Sequence, residues 1–245
     1  MRSAQLTALA LPVSLLAIQA APALSGTGPG RRLFPCVTNV PGSRSVGLTF
    51  DDGPDHCLDL FLKELDRLDA KATFFLMAEQ VERWPGAPGE IIGAGHEVAV
   101  HGYNHRGHLR RTPWEVRDDL RRARAIIEDA SGRETTLYRA PYGVFSFGSW
   151  REAAAQGWAR VLWSRWGKDW EERATPQRIA DTIGHPVAGD VLLLHDSDRY
   201  SAPNSWRRTL GALPIILDRM EQAGLKATTV TELMREAAER KTDLR

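Results

Sequence analysis

The side chains in this sequence best suited to move protons or hold a metal ion stand just after apolar runs. Asp51 and Asp52 end the run Val46-Gly-Leu-Thr-Phe50 and are followed at once by a Gly-Pro turn. Neighbouring side chains on an extended backbone point to opposite sides, so one carboxylate can bind a metal while the other handles protons. His101 and His105 follow the run His96–Val100 and lie four positions apart. On a helix or a tight loop, both imidazoles can face one ion. With Asp52 they make a set of two histidines and one carboxylate, which leaves positions open for water and substrate. The histidine spacing alone also fits a chance polar loop; the acid pair at a strand end is what gives it weight.

Arg139 sits beside Pro141 and Gly143, which fix a sharp loop. A buried arginine next to an aspartate keeps that aspartate ionised and oriented; a surface arginine on a turn is the plainer alternative. His195 closes the apolar run Asp190–His195, where a neutral core histidine is the ordinary explanation. Convergence on the same edge as Asp51 favours a catalytic role. Asp169, between Trp166 and Trp170, could orient and charge His195, as carboxylates do for catalytic imidazoles.

Such residues need a scaffold that brings distant chain segments to one place. From Val46 onward, strands and helices alternate. Strands are expected at Lys71–Leu76, His96–Val100, Leu137–Arg139, Ala159–Trp163, Asp190–His195 and Lys226–Val230. Helices are expected at Leu58–Leu68, Glu79–Trp84, Glu90–Ala94, Ser149–Gln156, from Thr175-Pro176 to Gly184, and from about Thr209 to Gln222. The clearest helix starts at a capping box, Thr112 with Glu115, and has Pro113 in first position. Its apolar stripe is Val116, Leu120, Ala123, Ile127 and Ala130. Its arginines read as a solvated face laced with ion pairs. Regular alternation predicts an α/β fold with a parallel sheet and helices outside, in roughly seven β-α units. The candidate residues then fall at the carboxyl edge of the sheet, where such folds build their sites.

The chain has 245 residues, and 42% of them are hydrophobic. That suits one α/β domain, expected over 46–240, preceded by a segment 1–45. Within that segment, Ser25–Ser45 is rich in Gly, Pro and Arg and reads as a linker. Lys and Arg number 32 against 31 Asp and Glu, a balance that argues against nucleic acid or an anionic membrane as main partner. Arg2, the apolar run Leu6–Ile18 and Ala21-Pro-Ala23 outline a signal peptide, while Pro12 and the thin basic region fit a packing helix instead. Export to the cell envelope or medium follows from the first reading and a cytoplasmic place from the second. The run is too short for a comfortable membrane span. The two cysteines, Cys36 and Cys57, could pair; two free thiols is the plainer reading. Eight tryptophans are many, and tryptophan faces are common in sugar-binding clefts, although packing explains most single ones.

In order, Thr49-Phe-Asp-Asp-Gly-Pro54, His101-x-x-x-His105, Arg139-Ala-Pro-Tyr-Gly143, Asp169-Trp170 and Leu193-Leu-His195 resemble the five motifs of the polysaccharide deacetylase family. This is the NodB homology domain, or carbohydrate esterase family 4. The resemblance spans about Val46 to Met234. It implies a distorted (β/α) barrel with fewer than eight units and a metal-dependent deacetylase acting on N- or O-acetyl groups of a sugar or glycan. It implies Asp51 as base, with Asp52, His101 and His105 holding one divalent metal, zinc foremost and cobalt, nickel or manganese also compatible. It implies that Arg139 pairs with the base and that the Tyr142 backbone N–H helps to bind the oxyanion. By the same resemblance, His195 is the general acid tuned by Asp169, and Trp170 and Leu193 line the pocket for the acetyl methyl.

Two departures stand out. Gly102 replaces a usual Ser or Thr, which predicts a looser loop with its metal ligands intact. The segment Trp166-Gly-Lys before Asp169 is also unusual and bears on the tuning of His195. Two other readings are a hydrolase of small amides on the same fold and a non-catalytic glycan-binding protein.

Overall fold

The computed structural model describes residues 17–243. In chain order the elements are β1 (Val46–Asp51), α1 (Leu58–Arg67), β2 (Thr73–Met77), α2 (Ala78–Val81), α3 (Ala87–Gly93), β3 (Glu97–Gly102), α4 (Pro113–Ser131) and β4 (Leu137–Tyr138). They continue with α5 (Phe147–Ala155), β5 (Ala159–Arg160), β6 (Arg165–Trp166), α6 (Pro176–Ile183), β7 (Val191–His195), α7 (Ser205–Gln222), β8 (Ala227–Thr228) and α8 (Val230–Asp243). The strands form one parallel sheet in the order β5-β4-β3-β2-β1-β7-β6, with β8 against the start of β1. All six residues of β1 are buried, as expected for a central parallel strand covered on both faces.

The sheet curls into an open, distorted barrel. β5 lies at one edge and β6 at the other, yet only four residues, Val161–Ser164, join them. An extended chain of that length reaches at most about 18 Å, so the two edges must come close. The single strand expected over Ala159–Trp163 is therefore two short strands on opposite edges, a split that periodicity does not reveal.

The stretch Ser25–Ser45, expected as a linker, lies instead along the opening. The Val37 N–H donates to the Arg160 carbonyl at 2.8 Å, and the Leu162 N–H to the Val37 carbonyl at 2.7 Å. Val40 donates to the Gly189 carbonyl at 2.8 Å. A Cβ on Gly189 would sit 2.5 Å from the Val40 oxygen, so only glycine permits this approach. Backbone pairing of this kind needs no side-chain pattern, and a Gly/Pro-rich composition hides it.

The α4 capping box forms as expected, and Gly132 ends the helix in the left-handed conformation. α7 begins four residues before its expected start, at Ser205 after a left-handed Asn204, so Pro214 falls in mid-helix. Cys36 and Cys57 are free thiols. Of the apolar run Leu6–Ile18, only Ala17 and Ile18 lie among the described residues. Among the described residues no helix is long and apolar enough to cross a membrane.

Candidate active site

The carboxyl ends of β1, β3, β4, β6 and β7 meet around one cavity of about 300 Å³. Asp51, Asp52, His101, His105, Tyr142, Trp170, Leu193 and His195 line it. Arg139 and Asp169, both fully buried, stand behind Asp51 and His195. All ten candidate residues thus come together. Register explains part of this: Asp51 and His195 are direct partners across the parallel pair β1–β7.

Asp52, His101 and His105 could hold a metal ion. His101 Nε2 lies 3.5 Å and His105 Nε2 3.4 Å from Asp52 Oδ1. These separations are longer than good hydrogen bonds. They match the ~3.0–3.5 Å between ligand atoms that each sit ~2.0–2.2 Å from a shared ion. Asp52 Oδ1 is buried and has no hydrogen-bond partner. His101 Nδ1 lies 2.8 Å from the Arg139 carbonyl, so it carries the proton and leaves Nε2 free to bind. Burial pushes the His105 imidazole down to about 4, against the pull of Asp52, which keeps it a neutral ligand. Burial would raise Asp52, but the imidazoles around it, His101 foremost and then His195 and His105, outweigh burial and bring the carboxyl to about 2.

Asp51 faces the same space from the other side, with Oδ2 3.7 Å from His101 Nε2. Its Oδ1 accepts from Arg139 Nη1 at 2.6 Å. Arg139 is held in turn by Thr49 Oγ1 at 2.8 Å and by the Leu162 carbonyl at 2.9 Å, with its guanidinium 4.0 Å above the Phe75 ring. The cation is fixed in place, and one Asp51 oxygen remains free.

His195 Nδ1 lies 2.9 Å from Asp169 Oδ1, and the His195 backbone N–H donates to Asp169 Oδ2 at 2.8 Å. Its Nε2 stands 4.0 Å from Asp52 Oδ2, on the cavity side. Burial alone would lower this imidazole. Asp169, by charge and hydrogen bond, outweighs burial and raises it to about 10.

Several contacts of the site carry no signal in the sequence. Thr209, on α7, donates to Asp169 Oδ2 at 2.8 Å. Asp196 accepts from the Gly53 N–H at 3.1 Å, directly behind the acid pair. Asp119, on α4, accepts the Tyr103 N–H at 2.9 Å and is anchored by Arg111. Tyr200 stacks on His105 with ring centroids 4.6 Å apart, while Tyr142 covers the same imidazole at 4.3 Å. Each of these is a common residue type whose partner is remote in sequence. The unusual Trp166 also faces the cavity, in a chain of aromatic contacts Trp163–Trp166–Trp170–His195.

Comparison with known proteins bears on what this arrangement belongs to. The family model described as polysaccharide deacetylase matches residues 38–161. A peptidoglycan-N-acetylglucosamine deacetylase of Bacillus cereus is 31% identical over 206 residues, covering 80% of this chain and 91% of that protein. The family 4 carbohydrate esterase from Streptomyces lividans, solved in complex with acetate, superposes with a TM-score of 0.68 and 28% identity, over 75% of this chain and 91% of that one. A family 4 pseudoenzyme from Bacillus anthracis has a TM-score of 0.71 and 26% identity, over 80% of this chain and 67% of that one. Likeness of backbone is therefore shared by proteins with and without activity, and the side chains of the site must be weighed with it. On the family match, the relative at 31% identity and the motifs assembled in one cavity, this chain belongs to the polysaccharide deacetylase family, hydrolases that act on acetyl amide or ester bonds.

Proposed function

We propose that the chain is a metal-dependent deacetylase that removes acetyl groups from N-acetylated sugars of a glycan. The observation that carries this is the convergence of the Asp52, His101 and His105 ligand atoms, all within 4.8 Å of one another, between two separately tuned groups, Asp51 with Arg139 and His195 with Asp169. A divalent ion, zinc foremost, would be held by those three residues and would supply Lewis acidity, making water a better acid and the acetyl carbonyl more electrophilic. The donor set is mixed nitrogen and oxygen, so cobalt, nickel and manganese fit as well.

The chain's own groups then divide the proton transfers. Asp51, with one oxygen held by Arg139, accepts a proton from the attacking water through its free oxygen. Arg139 cannot rotate away, because Thr49 and the Leu162 carbonyl hold its other N–H groups. The Tyr142 backbone N–H, at the rim, is the donor for the oxygen that gains charge as the carbonyl becomes tetrahedral. His195, protonated because of Asp169, gives its proton to the departing nitrogen; the C–N bond breaks, leaving acetate and a free amine. Leu193 and Trp170 give an apolar wall for the acetyl methyl.

The pocket is narrow and faced by tryptophans, which favours a sugar ring over a bulky peptide. The test is acetate release by metal-loaded protein from a panel of acetylated substrates: chitooligosaccharides, peptidoglycan, acetylated xylan and small cyclic amides. Release from the N-acetylglucosamine polymers is expected, with turnover abolished and metal retained in Asp51→Asn. Turnover of small amides alone would replace this reading with the second one.

A further inference from the structure

Beyond the cavity, the described surface has a second concave site of different character. Pro113, Trp114 and Arg117 on α4 face Phe147 and Arg151 on α5 across a groove of about 310 Å³. Trp114 is 66% exposed, a large aromatic face on the described surface. Arg121 and Glu152 also line the groove and pair with each other. The lining therefore carries three cations against one anion. Among the described residues, Arg117 pairs only with its exposed neighbour Asp118, and Arg151 forms no ion pair.

The two helices are brought together by design of the chain. A Cβ on Gly148 would lie 2.8 Å from the Pro113 Cα, so glycine lets the start of α5 press on the start of α4 and form the groove floor. Both helix starts lie at the carboxyl edge of the sheet, the edge that carries the cavity. The segments leading into them start from residues that line it, His105 and Gly143. Residues 106–112 run from His105 to Pro113, and residues 144–146 run from Gly143 to Phe147. A Cβ on Gly107 would be 3.8 Å from the Tyr142 ring, so the first segment runs beside the turn Pro141–Gly143 that precedes the second. The first of them adds the exposed cations Arg106 and Arg110. Positive helix starts add to the same field.

We propose that this groove is a second glycan-binding site, one that takes an acidic, carboxylated stretch of the polymer whose acetyl groups reach the cavity. A sugar ring presents a C–H face that stacks on an indole, and a guanidinium matches a carboxylate with two parallel N–H donors. That the occupant is a glycan rests on the proposed function. The near-neutral whole chain, with a formal net charge of +1, speaks against a nucleic acid.

The experiment compares wild-type protein with Trp114→Ala, Trp114→Phe and the double variant Arg117→Glu/Arg151→Glu. Affinity electrophoresis in polygalacturonate, a carboxylated glycan, is run beside a neutral chitooligosaccharide polymer and single-stranded DNA, at two salt concentrations. Wild-type retardation in polygalacturonate is expected to fall with salt, to weaken about tenfold or more in Trp114→Ala and in the double variant, and to survive in Trp114→Phe. Acetate release from a short neutral chitooligosaccharide is expected to be the same in all four proteins. Equal retardation of wild type and variants, equal retention by the neutral polymer, or tighter binding of the DNA would overturn the proposal. Wild-type protein that releases no acetate would instead sink the reading of the cavity, while the retardation series still judges the groove as a site for carboxylated polymers.

Discussion

At Asp52 the backbone enters the left-handed region, with φ +81°, in a residue that is 2% exposed. Such a conformation in a non-glycine residue costs about 1–3 kcal/mol, and its persistence points to a constraint from the site. The pair Asp51-Asp52 was the most legible part of the site, because an acid pair at the end of an apolar strand is rare without a use. Arg139 and Asp169 were legible as supports as well; what sequence could not supply was what holds them, Thr49 against Arg139 and Thr209 against Asp169. His195 is informative here. Its proton affinity is raised because Asp169 outweighs the effect of burial. A general acid works only while protonated, so raising its pKa moves the alkaline limb of kcat/KM upward. Asp169→Asn removes the charge and should bring that limb down by at least about one pH unit. A pH profile of acetate release from wild type and variant checks this; an unmoved limb would assign it to another group.

Among the elements, the segment after β3 differs most from expectation. Gly102 was expected to leave a looser loop for want of a hydroxyl. Instead Gly102 adopts φ +138°, which side-chain-bearing residues rarely enter, and the loop is pinned from α4. Asp119 accepts the Tyr103 N–H, Arg111 holds Asp119 at 2.6 Å, and Arg122 covers the Tyr103 ring at 3.8 Å. Asp119 sits on a helix with an obvious apolar stripe, so its burial could not be read from the pattern. Removing it in Asp119→Ala leaves a partly buried N–H unpaired, which should cost about 1 kcal/mol. The same change should lower metal affinity about tenfold or more, because His101 and His105 flank the released segment. Chelator competition measures the second effect, and an unchanged affinity would mean the loop is held by other contacts. Strands and long helices were legible because their hydrophobic periods are long; the end of β5 at Arg160, β6 and the pairing of Val37 were not, because two or three residues carry no period.

For the molecule as a whole, the parallel sheet was legible from alternation; its curl followed only from the motifs' resemblance to a family. Two histidines away from the metal-binding set bear on stability. His96 and His108 are 5% and 1% exposed. Burial, helped by Lys71 and Arg111 respectively, pushes them down to about 4 and about 3. Both folded values lie below the unfolded value of ~6.5, so the unfolded chain binds more protons in that window. The stability they contribute is present above about pH 6.5 and is lost as pH falls towards the folded values, by up to about 1.4 kcal/mol per pH unit for each. Urea midpoints at pH 7.5, 6 and 5 should therefore decline, and His96→Gln or His108→Gln should flatten the decline. Midpoints that stay level over that range would contradict it.

The central claim is that Asp52, His101 and His105 hold one cation on which hydrolysis of an acetamide depends. Metal-stripped protein titrated with zinc, while acetate release from an N-acetylglucosamine oligomer is followed, tests it most directly. Activity should rise from near zero and level off at one equivalent, and His105→Ala should need far more metal for any rise. Full activity before metal is added, or an unchanged titration in His105→Ala, would contradict the account.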